Sequence, residues 1–475
     1  MPETVELRGK RVLVVGLART GIATALFCAA RGARVTATES RSASEIGEPV
    51  DKLRAAGCAL ELGGHRPETF LAQDLIVPSP GVPADAPLLE AARAQGIPIW
   101  SEIELASRFL KGRLIGITGS NGKTTTTSLV AHLLEAAGLP VILAGNIGTP
   151  LIARVEVTSD TSISVVELSS FQLELTAAFR PNIGLFLNLT PDHLDRHASL
   201  ETYGRAKARM FANQTEADCA LLNADDPLTA QYAPARPQVF WFSRKQRVAQ
   251  GVYLRGNEIV FRRDGKEEIL LLLEDVGLPG AHNLENVLAA ALAAHLAGAG
   301  AGAIARGVRS FAGVEHRLEF VAEIAGVRYY NDSKATNVDA TLKALDAFPG
   351  RLLVILGGKD KGSDYTLLQQ PLREKALLAL LIGAAADKIG AQITGSAPLE
   401  RAGTLERALE IAAQRARSGD VVLLAPACAS FDQFQNYEHR GRVFKQLVRQ
   451  LAGRANGQNG NPGNTQAADA PAGKG

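Results

Sequence analysis

The sequence predicts an α/β fold built from several parallel sheets, and three observations support this. Short runs rich in Val, Ile and Leu recur, stretches rich in Ala and Leu separate them, and polar motifs follow them directly. The runs include Arg11–Gly16, Leu114–Thr118, Ile163–Glu167, Ile183–Leu189, Leu352–Leu356 and Val421–Ala425. Such alternation is typical of parallel strands whose connecting helices cover both faces of the sheet. Ligands bind beyond the carboxyl ends of these strands, where the motifs stand.

The length of 475 residues suggests about three domains, at roughly 150 residues per domain. We expect blocks at residues 1–110, 111–313 and 314–454, the second opening with the strand before the first motif. Beyond Arg454 the chain contains no Val, Ile, Leu or aromatic residue. Residues 455–475 are therefore predicted to form a disordered tail, because they cannot bury enough apolar surface to offset their ordering entropy.

Bulk composition excludes several classes of protein. The chain has 51 Lys and Arg against 49 Asp and Glu, without the basic excess of a nucleic-acid-binding protein. No apolar run reaches the roughly 18–20 residues that cross a bilayer, so no membrane insertion is expected. Four dispersed cysteines without a CxxC pair indicate a reducing compartment: Cys28, Cys58, Cys219 and Cys428. We expect a cytoplasmic protein.

The first block begins like a dinucleotide-binding unit, with a strand, a helix over Thr20–Arg31 and a second strand that ends at Glu39. Its glycine fingerprint is incomplete, reading Gly16-x-Ala18-x-x-Gly21. The methyl group of Ala18 hinders close approach of the backbone to a pyrophosphate. A structural unit without ligand, an NAD site and a nucleotide-sugar site all remain open. Ser79-Pro80-Gly81 offers a second turn at the same edge.

The second block opens with a candidate phosphate loop, Thr118-Gly119-Ser120-Asn121-Gly122-Lys123-Thr124. It stands after a strand and before a helix, where backbone N–H groups and the helix N-terminus bind anions. Lys123 is expected to reach the terminal phosphates, and the Thr124 hydroxyl to bind Mg²⁺. Ile117 replaces the first glycine of the usual pattern, so the loop is a shortened variant.

Further polar residues follow the next strands of this block. Glu167 ends Ile163–Glu167 and is either a surface acid or a Mg²⁺ ligand. His193, after the strand Ile183–Leu189, is more often structural when alone but favours a ligand role beside a phosphate loop. Lys207 lies in the predicted helix Ser199–Ala212, and by that position alone is a solvated charge.

A last motif of this block is Gly280-Ala281-His282-Asn283-Leu284-Glu285-Asn286, which opens an Ala/Leu-rich helix. Asn283 either caps this helix, or Asn283 or Asn286 binds an adenine edge.

Together these segments resemble the Mur ligases, the ATP-dependent amino-acid-adding enzymes of peptidoglycan synthesis. The shared features are TGSNGKTT, ELSSFQLE from Glu167, DHLDRH from Asp192, Lys207 and GAHNLENVLAA from Gly280. In the third block, NDSKATN from Asn331 and APACASFDQF from Ala425 are similar to the branch that adds D-glutamate. The DNPR motif of the diaminopimelate-adding branch is not found. The resemblance covers nearly the whole chain except the tail.

The resemblance implies Rossmann-like N- and C-terminal domains around a central P-loop ATPase-like domain. It implies ATP and two Mg²⁺ ions, with the substrates UDP-N-acetylmuramoyl-L-alanine and D-glutamate, joined through an acyl phosphate. The implied catalytic residues are Lys123, Glu167, His193 and a carbamylated Lys207. The implied metal ligands are Thr124, Glu167, His193 and Lys207. The implied ATP contacts are Gly119, Ser120, Asn121, Gly122, Lys123, Thr124, Thr125, Asn283, Asn286, Arg317 and Asp332.

The resemblance also implies the two substrate sites. The UDP-substrate contacts are Thr20, Glu39, Ser40, Arg41, Ser79, Gly81, Asn146 and Ser169. The D-glutamate contacts are Lys334, Thr336, Lys361, Ser430 and Phe431. Lys359 remains an alternative to Lys361, and Glu39 stands where the family pattern leads us to expect Asp. A monomer is expected, and closure of the third block is expected on ATP binding.

Three rival functions remain. Another amide-forming ligase of the same family would differ in Ala425–Phe434 and in the first block. A P-loop switch or motor would leave Glu167, His193 and the Lys334 loop without a role. An NAD-dependent oxidoreductase is disfavoured by Ala18 and by the phosphate loop.

Overall fold

The computed structural model describes residues 4–146 and 148–458, which fall into two compact units. One unit comprises residues 4–278 and 282–311 and contains two sheets. The other comprises residues 279–281 and 312–458 and contains a third sheet. All three sheets are mostly parallel, so the predicted α/β fold is confirmed.

The first sheet is fully parallel and has the order β3-β2-β1-β4. Its strands are β1 (Arg11–Val15), β2 (Arg34–Glu39), β3 (Ala59–Leu62) and β4 (Leu75–Pro78). Its helices are α1 (Arg19–Ala30), α2 (Ala43–Ile46), α3 (Pro49–Ala55), α4 (Pro67–Leu71), α5 (Pro87–Ala94) and α6 (Glu102–Ser107). The apolar run of β1 is buried after its first residue, which explains its continuous Val/Leu sequence.

The central sheet has nine strands in the order β13-β12-β11-β10-β9-β8-β5-β7-β6. The strands are β5 (Arg113–Thr118), β6 (Val141–Gly145), β7 (Ile163–Glu167), β8 (Ile183–Phe186), β9 (Cys219–Asn223), β10 (Gln238–Ser243), β11 (Gly251–Arg255), β12 (Glu258–Arg263) and β13 (Lys266–Leu272). The β11–β12 and β12–β13 pairs are antiparallel, a departure from the purely parallel arrangement expected. They form the edge farthest from the motifs.

The helices of the central region are α7 (Lys123–Ala136), α8 (Ser170–Glu174), α9 (Leu194–His197), α10 (Leu200–Ala208), α11 (Pro227–Ala230), α12 (Ala281–Leu296) and α13 (Ala301–Ser310). Residues 287–294 of α12 are all buried, and their small alanines let the helix pack closely within the core. The predicted helix Ser199–Ala212 is shorter than expected, because Arg209–Phe211 forms a 3₁₀ turn.

The third sheet has the order β14-β15-β19-β16-β17-β18, with β14 antiparallel to β15. Its strands are β14 (Glu319–Ile324), β15 (Val327–Asn331), β16 (Leu352–Gly357), β17 (Ala376–Ile382), β18 (Leu399–Gly403) and β19 (Val421–Leu424). Its helices are α14 (Val338–Asp346), α15 (Gln369–Lys375), α16 (Ala386–Gln392), α17 (Leu405–Arg415) and α18 (Tyr437–Gln458). The predicted tail begins inside α18, and residues 459–475 lie outside the described residues.

A buried carboxylate joins the first sheet to the central one. Glu104 of α6 is fully buried, and its Oε2 accepts the N–H groups of Ala177, Ala178 and Phe179 at 2.9, 3.0 and 2.8 Å. Its Oε1 lies 2.7 Å from Nη2 of Arg108. These hydrogen bonds and the ion pair compensate the buried charge of Glu104. Because they all depend on the position of this side chain, they fix the orientation of α6. Within the described ranges, no helix is long and apolar enough to span a bilayer.

Candidate active site

The candidate phosphate loop lies between β5 and α7, as predicted. Gly122 precedes the helix with a φ of +79°, and a Cβ there would lie 2.3 Å from Asn286 Oδ1. Both the left-handed backbone and the close approach require glycine at this position. The loop therefore rests directly on the first turns of α12.

Two asparagines of α12 support the loop from below. Asn286 Oδ1 accepts from Thr126 Oγ1 at 3.2 Å, and its Nδ2 donates to Asn283 Oδ1 at 3.2 Å. Asn283 is the third residue of α12, so the alternative in which it is the N-cap residue of this helix is wrong. Both asparagines are buried, at 7% and 5% exposure, and Asn286 lies next to Gly122 of the phosphate loop.

The loop is also held to the segment that follows β8. Ser120 Oγ donates to the Thr190 carbonyl at 2.9 Å, and Asn121 N donates to Asn188 Oδ1 at 2.8 Å. Asn188 Nδ2 returns a hydrogen bond to the Asn121 carbonyl at 3.1 Å. The side chain of Ser120 thus braces the loop. Asn188 was missed because the strand was predicted to run to Leu189; the usable signal was a polar residue inside that apolar run.

Glu167 stands at the carboxyl end of β7, next to the loop. β7 is paired with β5 so that Glu167 opposes Ile117, one residue before the loop. The side chain is 2% exposed, and Oε1 accepts from Asn146 Nδ2 at 2.8 Å. Oε2 is buried without a hydrogen-bond partner. A buried carboxylate oxygen without a hydrogen-bond partner destabilises the fold unless a bound ligand interacts with it. Mg²⁺ prefers carboxylate oxygens of this kind.

Gly145 lets the segment of Asn146 approach Glu167. Its φ is +110°, and a Cβ there would lie 2.3 Å from the Glu167 carbonyl oxygen. The Asn146 N–H donates to that same carbonyl at 2.9 Å. Ser169, two residues beyond Glu167, caps α8 by accepting from Gln172 N at 3.2 Å.

Lys207 is buried, so the expectation of a solvated charge from its helix position alone is wrong. It is 1% exposed, and Nζ donates to the Gly119 carbonyl at 2.7 Å. Lys123 Nζ donates to the same carbonyl at 2.8 Å. Burial, and then repulsion from Lys123, lowers the pKa of Lys207 well below its ordinary value. The phosphate loop thus has two lysine side chains folded against it.

His193 lies on the loop after β8 with a φ of +51°, and its side chain is half-exposed. Its ring meets the edge of Phe171 at 5.1 Å between centroids. Tyr203 links it to Lys207: the Tyr203 ring lies 6.4 Å from the His193 ring and 4.3 Å from Lys207 Nζ.

The described side chains contain no group of three or more His, Cys, Asp or Glu that could hold a metal ion. A magnesium site here therefore also needs other oxygens, such as the Thr124 hydroxyl. Thr124 is half-buried at the start of α7, and the adjacent Thr125 is buried. The unsatisfied Oε2 of Glu167 fits such a site.

At the first sheet, Glu39 is engaged by its own neighbours. Its Oε2 accepts from Leu17 N at 2.7 Å, and its Oε1 accepts from Ser40 Oγ at 3.0 Å. Arg41 Nη2 lies 3.0 Å from Oε2. Hydrogen bonding from Arg41, with these donors, lowers the pKa of Glu39 to about 2. Glu39 therefore organises the turn after β1 and holds Arg41 beside it.

The two turns of the first sheet meet as expected. Ser79 Oγ donates to the Gly16 carbonyl at 2.8 Å. A Cβ on Gly21 would lie 1.8 Å from that same carbonyl oxygen, so the last glycine of the fingerprint allows the helix to pack on the strand. Thr20, near the N-terminus of α1, and the exposed Gly81 lie at the same edge.

At the third sheet, residues 332–336 follow β15. Asp332 is 8% exposed, and burial raises its pKa to about 7 against the opposing effect of Arg317. Lys334 Nζ lies 3.9 Å from the Tyr437 ring centroid, a cation–π contact. The Thr336 N–H donates to the Lys334 carbonyl at 2.8 Å.

The loops after β16 and β19 carry the other predicted D-glutamate residues. Ser430 is 1% exposed and its Oγ is buried without a hydrogen-bond partner, whereas Phe431 is 66% exposed. Lys359 and Lys361 are both exposed, so burial does not choose between them. Sequence reasoning missed Arg440, whose buried Nη2 donates to the Ser333 carbonyl at 2.8 Å.

Comparison with known proteins decides the family. Family models for the Mur ligase MurD-like N-terminal domain, the Mur ligase middle domain and the Mur ligase glutamate ligase domain match residues 10–101, 117–294 and 316–428. The UDP-N-acetylmuramoylalanine–D-glutamate ligase of Acidobacterium capsulatum is 54% identical, over 96% of this chain and 99% of the relative. The protein of that name from Solibacter usitatus is 55% identical, over 94% and 99%. The chain belongs to the Mur ligase family.

Solved Mur ligases share its fold at low identity. The UDP-N-acetylmuramate-alanine ligase of Thermotoga maritima has a TM-score of 0.57 and 19% identity, covering 93% of this chain and all of the other. A pseudomurein peptide ligase type C from Methanothermus fervidus gives the same TM-score, identity and coverage. The resemblance predicted from motifs is thus confirmed, for the family and for the fold.

Proposed function

We propose that this Mur ligase joins D-glutamate to the L-alanine carboxyl group of UDP-N-acetylmuramoyl-L-alanine, with ATP converted to ADP and phosphate. The choice of D-glutamate is supported by relatives of that name at 54–55% identity over 94–96% of the chain. The observation that carries the chemistry is the convergence of the phosphate loop with Glu167 and Lys207. A carboxylate and an amine do not condense in water unless the carboxylate is first activated.

The reaction has two steps. The γ-phosphoryl group of ATP passes to the L-alanine carboxylate, giving an acyl phosphate and ADP. The D-glutamate amine then attacks the acyl carbon, phosphate leaves, and the nitrogen loses its proton as the amide forms. Phosphoryl transfer depends mainly on positioning and charge neutralisation, which the loop N–H groups and Lys123 supply. In this proposal residues 119–125, with Asn283, Asn286, Arg317 and Asp332, bind the nucleotide.

Two magnesium ions are proposed beside the phosphates, where they would neutralise charge and hold the phosphate oxygens in place. Thr124 and Glu167 are the proposed ligands of the first ion. His193 is the proposed ligand of the second ion, and a carbamylated Lys207 is proposed as a further metal ligand. The buried, unsatisfied Glu167 Oε2 is the observation that supports this assignment.

Carbamylation of Lys207 is proposed because a neutral, buried amine is the form that reacts with CO₂. The nitrogen bonds to the carbon of CO₂ and one proton is released, giving an anion with two carboxylate-like oxygens. The lowered pKa of Lys207 favours the neutral amine. The resulting charge would face Lys123, which shares the Gly119 carbonyl with Lys207.

The UDP-sugar site is assigned mainly to the first sheet, and the D-glutamate site to the third sheet. For the UDP-sugar we propose Thr20, Glu39, Ser40, Arg41, Ser79 and Gly81, with Asn146 and Ser169 reaching the sugar or its alanine. For D-glutamate we propose Lys334, Thr336, Lys361, Ser430 and Phe431. The unsatisfied Ser430 Oγ supports a role in ligand binding. Lys359→Met and Lys361→Met, compared by the KM for D-glutamate, would distinguish the two lysines.

The direct test is an amino-acid panel. Purified protein receives ATP, Mg²⁺ and UDP-N-acetylmuramoyl-L-alanine with D-glutamate, L-glutamate, L-lysine or diaminopimelate, and ADP release is followed. We expect release with D-glutamate alone. Equal release with another amino acid, or release without the sugar nucleotide, would reject the proposal. We expect a cytoplasmic protein that is a monomer. Light scattering would test the oligomeric state.

A further inference from the structure

The third-sheet unit contains a partly buried hydrogen-bond network next to the loops that carry Lys361 and Ser430. Its centre is Tyr365, which is fully buried. The phenol oxygen donates to Asp360 Oδ1 at 2.7 Å and lies 2.9 Å from Cys428 Sγ. Asp360 belongs to the loop after β16 and Cys428 to the loop after β19. A single hydroxyl therefore ties the two loops together.

The carboxylate of Asp360 is the negatively charged member of this network. Its Oδ2 pairs with Lys388 Nζ of α16 at 2.8 Å, and its Oδ1 also accepts from Ser363 N at 3.2 Å. The contact with Lys388, together with these donors, holds the pKa of Asp360 well below its usual range. Burial raises the pKa of Tyr365, so its hydroxyl stays a donor. A protonated phenol against a carboxylate is a strong, charge-assisted hydrogen bond.

Backbone contacts reinforce the junction. Lys359 N donates to the Ala429 carbonyl at 2.8 Å, and Ala429 N donates back to the Lys359 carbonyl at 3.2 Å. Gly358 has a φ of +137°, and a Cβ there would lie 2.2 Å from the Ala429 carbonyl oxygen. The two loops approach so closely that a side chain does not fit between them. Their relative position is therefore set by a few buried contacts, Tyr365 being central.

We propose that Tyr365, Asp360 and Cys428 are positioning residues that preform the amino-acid site. Lys361 follows Asp360 directly, and Ser430 stands two residues beyond Cys428. Holding these segments in register before the ligand arrives reduces the ordering that binding requires. The inference rests on the proposed function, since it assigns the two loops to D-glutamate.

The first test is Tyr365→Phe, which removes the hydroxyl and keeps the ring. We expect the KM for D-glutamate to rise about tenfold, the effect of losing preorganisation at a polar site, while the KM values for ATP and the sugar nucleotide stay within about twofold. Tyr329→Phe is the matched control, because Tyr329 is a buried tyrosine on β15 of the same sheet. An unchanged KM for D-glutamate in Tyr365→Phe, or an equal rise for all substrates, would overturn the proposal.

Cys428 provides a graded second test. Cys428→Ser keeps a hydrogen-bonding group beside Tyr365, whereas Cys428→Ala removes it. We expect the serine variant to bind D-glutamate more tightly than the alanine variant. The double variant with Cys428→Ala and Tyr365→Phe should raise the KM for D-glutamate by less than the product of the two single effects, because both substitutions remove the same contact. A shared network would be contradicted if the two single effects on the KM for D-glutamate were strictly additive in free energy and Cys428→Ser had the same KM as Cys428→Ala.

A measurement without substrates separates this inference from the proposed function. Hydrogen exchange of the unliganded protein should be faster over residues 357–364 and 426–431 in Tyr365→Phe than in Tyr329→Phe. Equal exchange in the two variants would overturn the positioning role, whatever the activity. If the wild type instead used another amino acid, the proposed function would fail, and the KM shift should then follow that amino acid.

Discussion

Replacing Lys207 by methionine should abolish ligase activity and yet stabilise the unliganded fold at neutral pH. The side chain is 1% exposed, and its Nζ has one backbone acceptor, the Gly119 carbonyl. Replacing a buried ion pair by apolar groups of similar volume is often stabilising by about 1–4 kcal/mol, and we use the same range for Lys207 because its burial carries the same kind of desolvation cost. Loss of the hydrogen bond offsets roughly 0.5–1.5 kcal/mol. These two figures leave a net effect between about −0.5 and +3.5 kcal/mol, and we expect a gain near the middle of that range, roughly 1–2 kcal/mol at pH 7.

The sign of the pH dependence follows from proton binding. The pKa of Lys207 is lower in the folded chain than in the unfolded chain, whose value is near 10.5. Between the two values the unfolded chain binds the extra proton, so wild-type stability increases with pH there. The advantage of Lys207→Met should therefore be largest near neutrality and disappear as the pH approaches about 10.5.

Urea unfolding from pH 7 to 10, in buffers depleted of CO₂ and metal, measures this advantage directly. Activity of the same samples gives the other half of the prediction. A Met variant that is less stable than the wild type at pH 7, by an amount independent of pH, would refute the reasoning. A Met variant that retains full activity would refute the metal-ligand role.

Two other predictions concern the loop and the first sheet. Gly122→Ala should raise the KM for ATP at least about tenfold, because its Cβ would lie 2.3 Å from Asn286 Oδ1. Gly138→Ala is the control, with a similar φ of +75° but open space around the Cβ, so it should lose stability without a specific effect on ATP. Glu39→Gln should lower stability by about 1–3 kcal/mol above pH 5, since the pKa of Glu39 is lowered to about 2 by Arg41. That difference should vanish as the pH falls toward 2 in acid-unfolding titrations, and a pH-independent difference would contradict it.

Buried strands were the most predictable part of the fold. The run Ile163–Glu167 has the same bounds in the sequence and in the structure, because burial on both faces demands a continuous apolar run. The strand predicted over Ile183–Leu189 ends at Phe186. The apolar residues beyond it pack as part of the loop that braces Asn121, so hydrophobicity alone overextended the strand.

The candidate site was predictable where a motif follows a strand, and less so where tertiary packing decides. The phosphate loop and Glu167 follow strands, and the structure brings them together at adjacent strand ends. The burial of Lys207 depends on which face of α10 meets the loop, and local sequence does not state this. Tyr365 and Arg440 were missed because each contacts a residue far along the chain, Cys428 and Ser333 respectively, 63 and 107 positions away.

In the proposed reaction, a substrate carboxylate is activated as an acyl phosphate and then joined to D-glutamate. The most direct test uses UDP-N-acetylmuramoyl-L-alanine labelled with ¹⁸O in both oxygens of the alanine carboxylate, with unlabelled ATP and D-glutamate. Mass spectrometry of the released phosphate should find one ¹⁸O per phosphate, matched by one labelled oxygen in the new amide. Unlabelled phosphate, or phosphate released at the same rate without D-glutamate, would contradict the account.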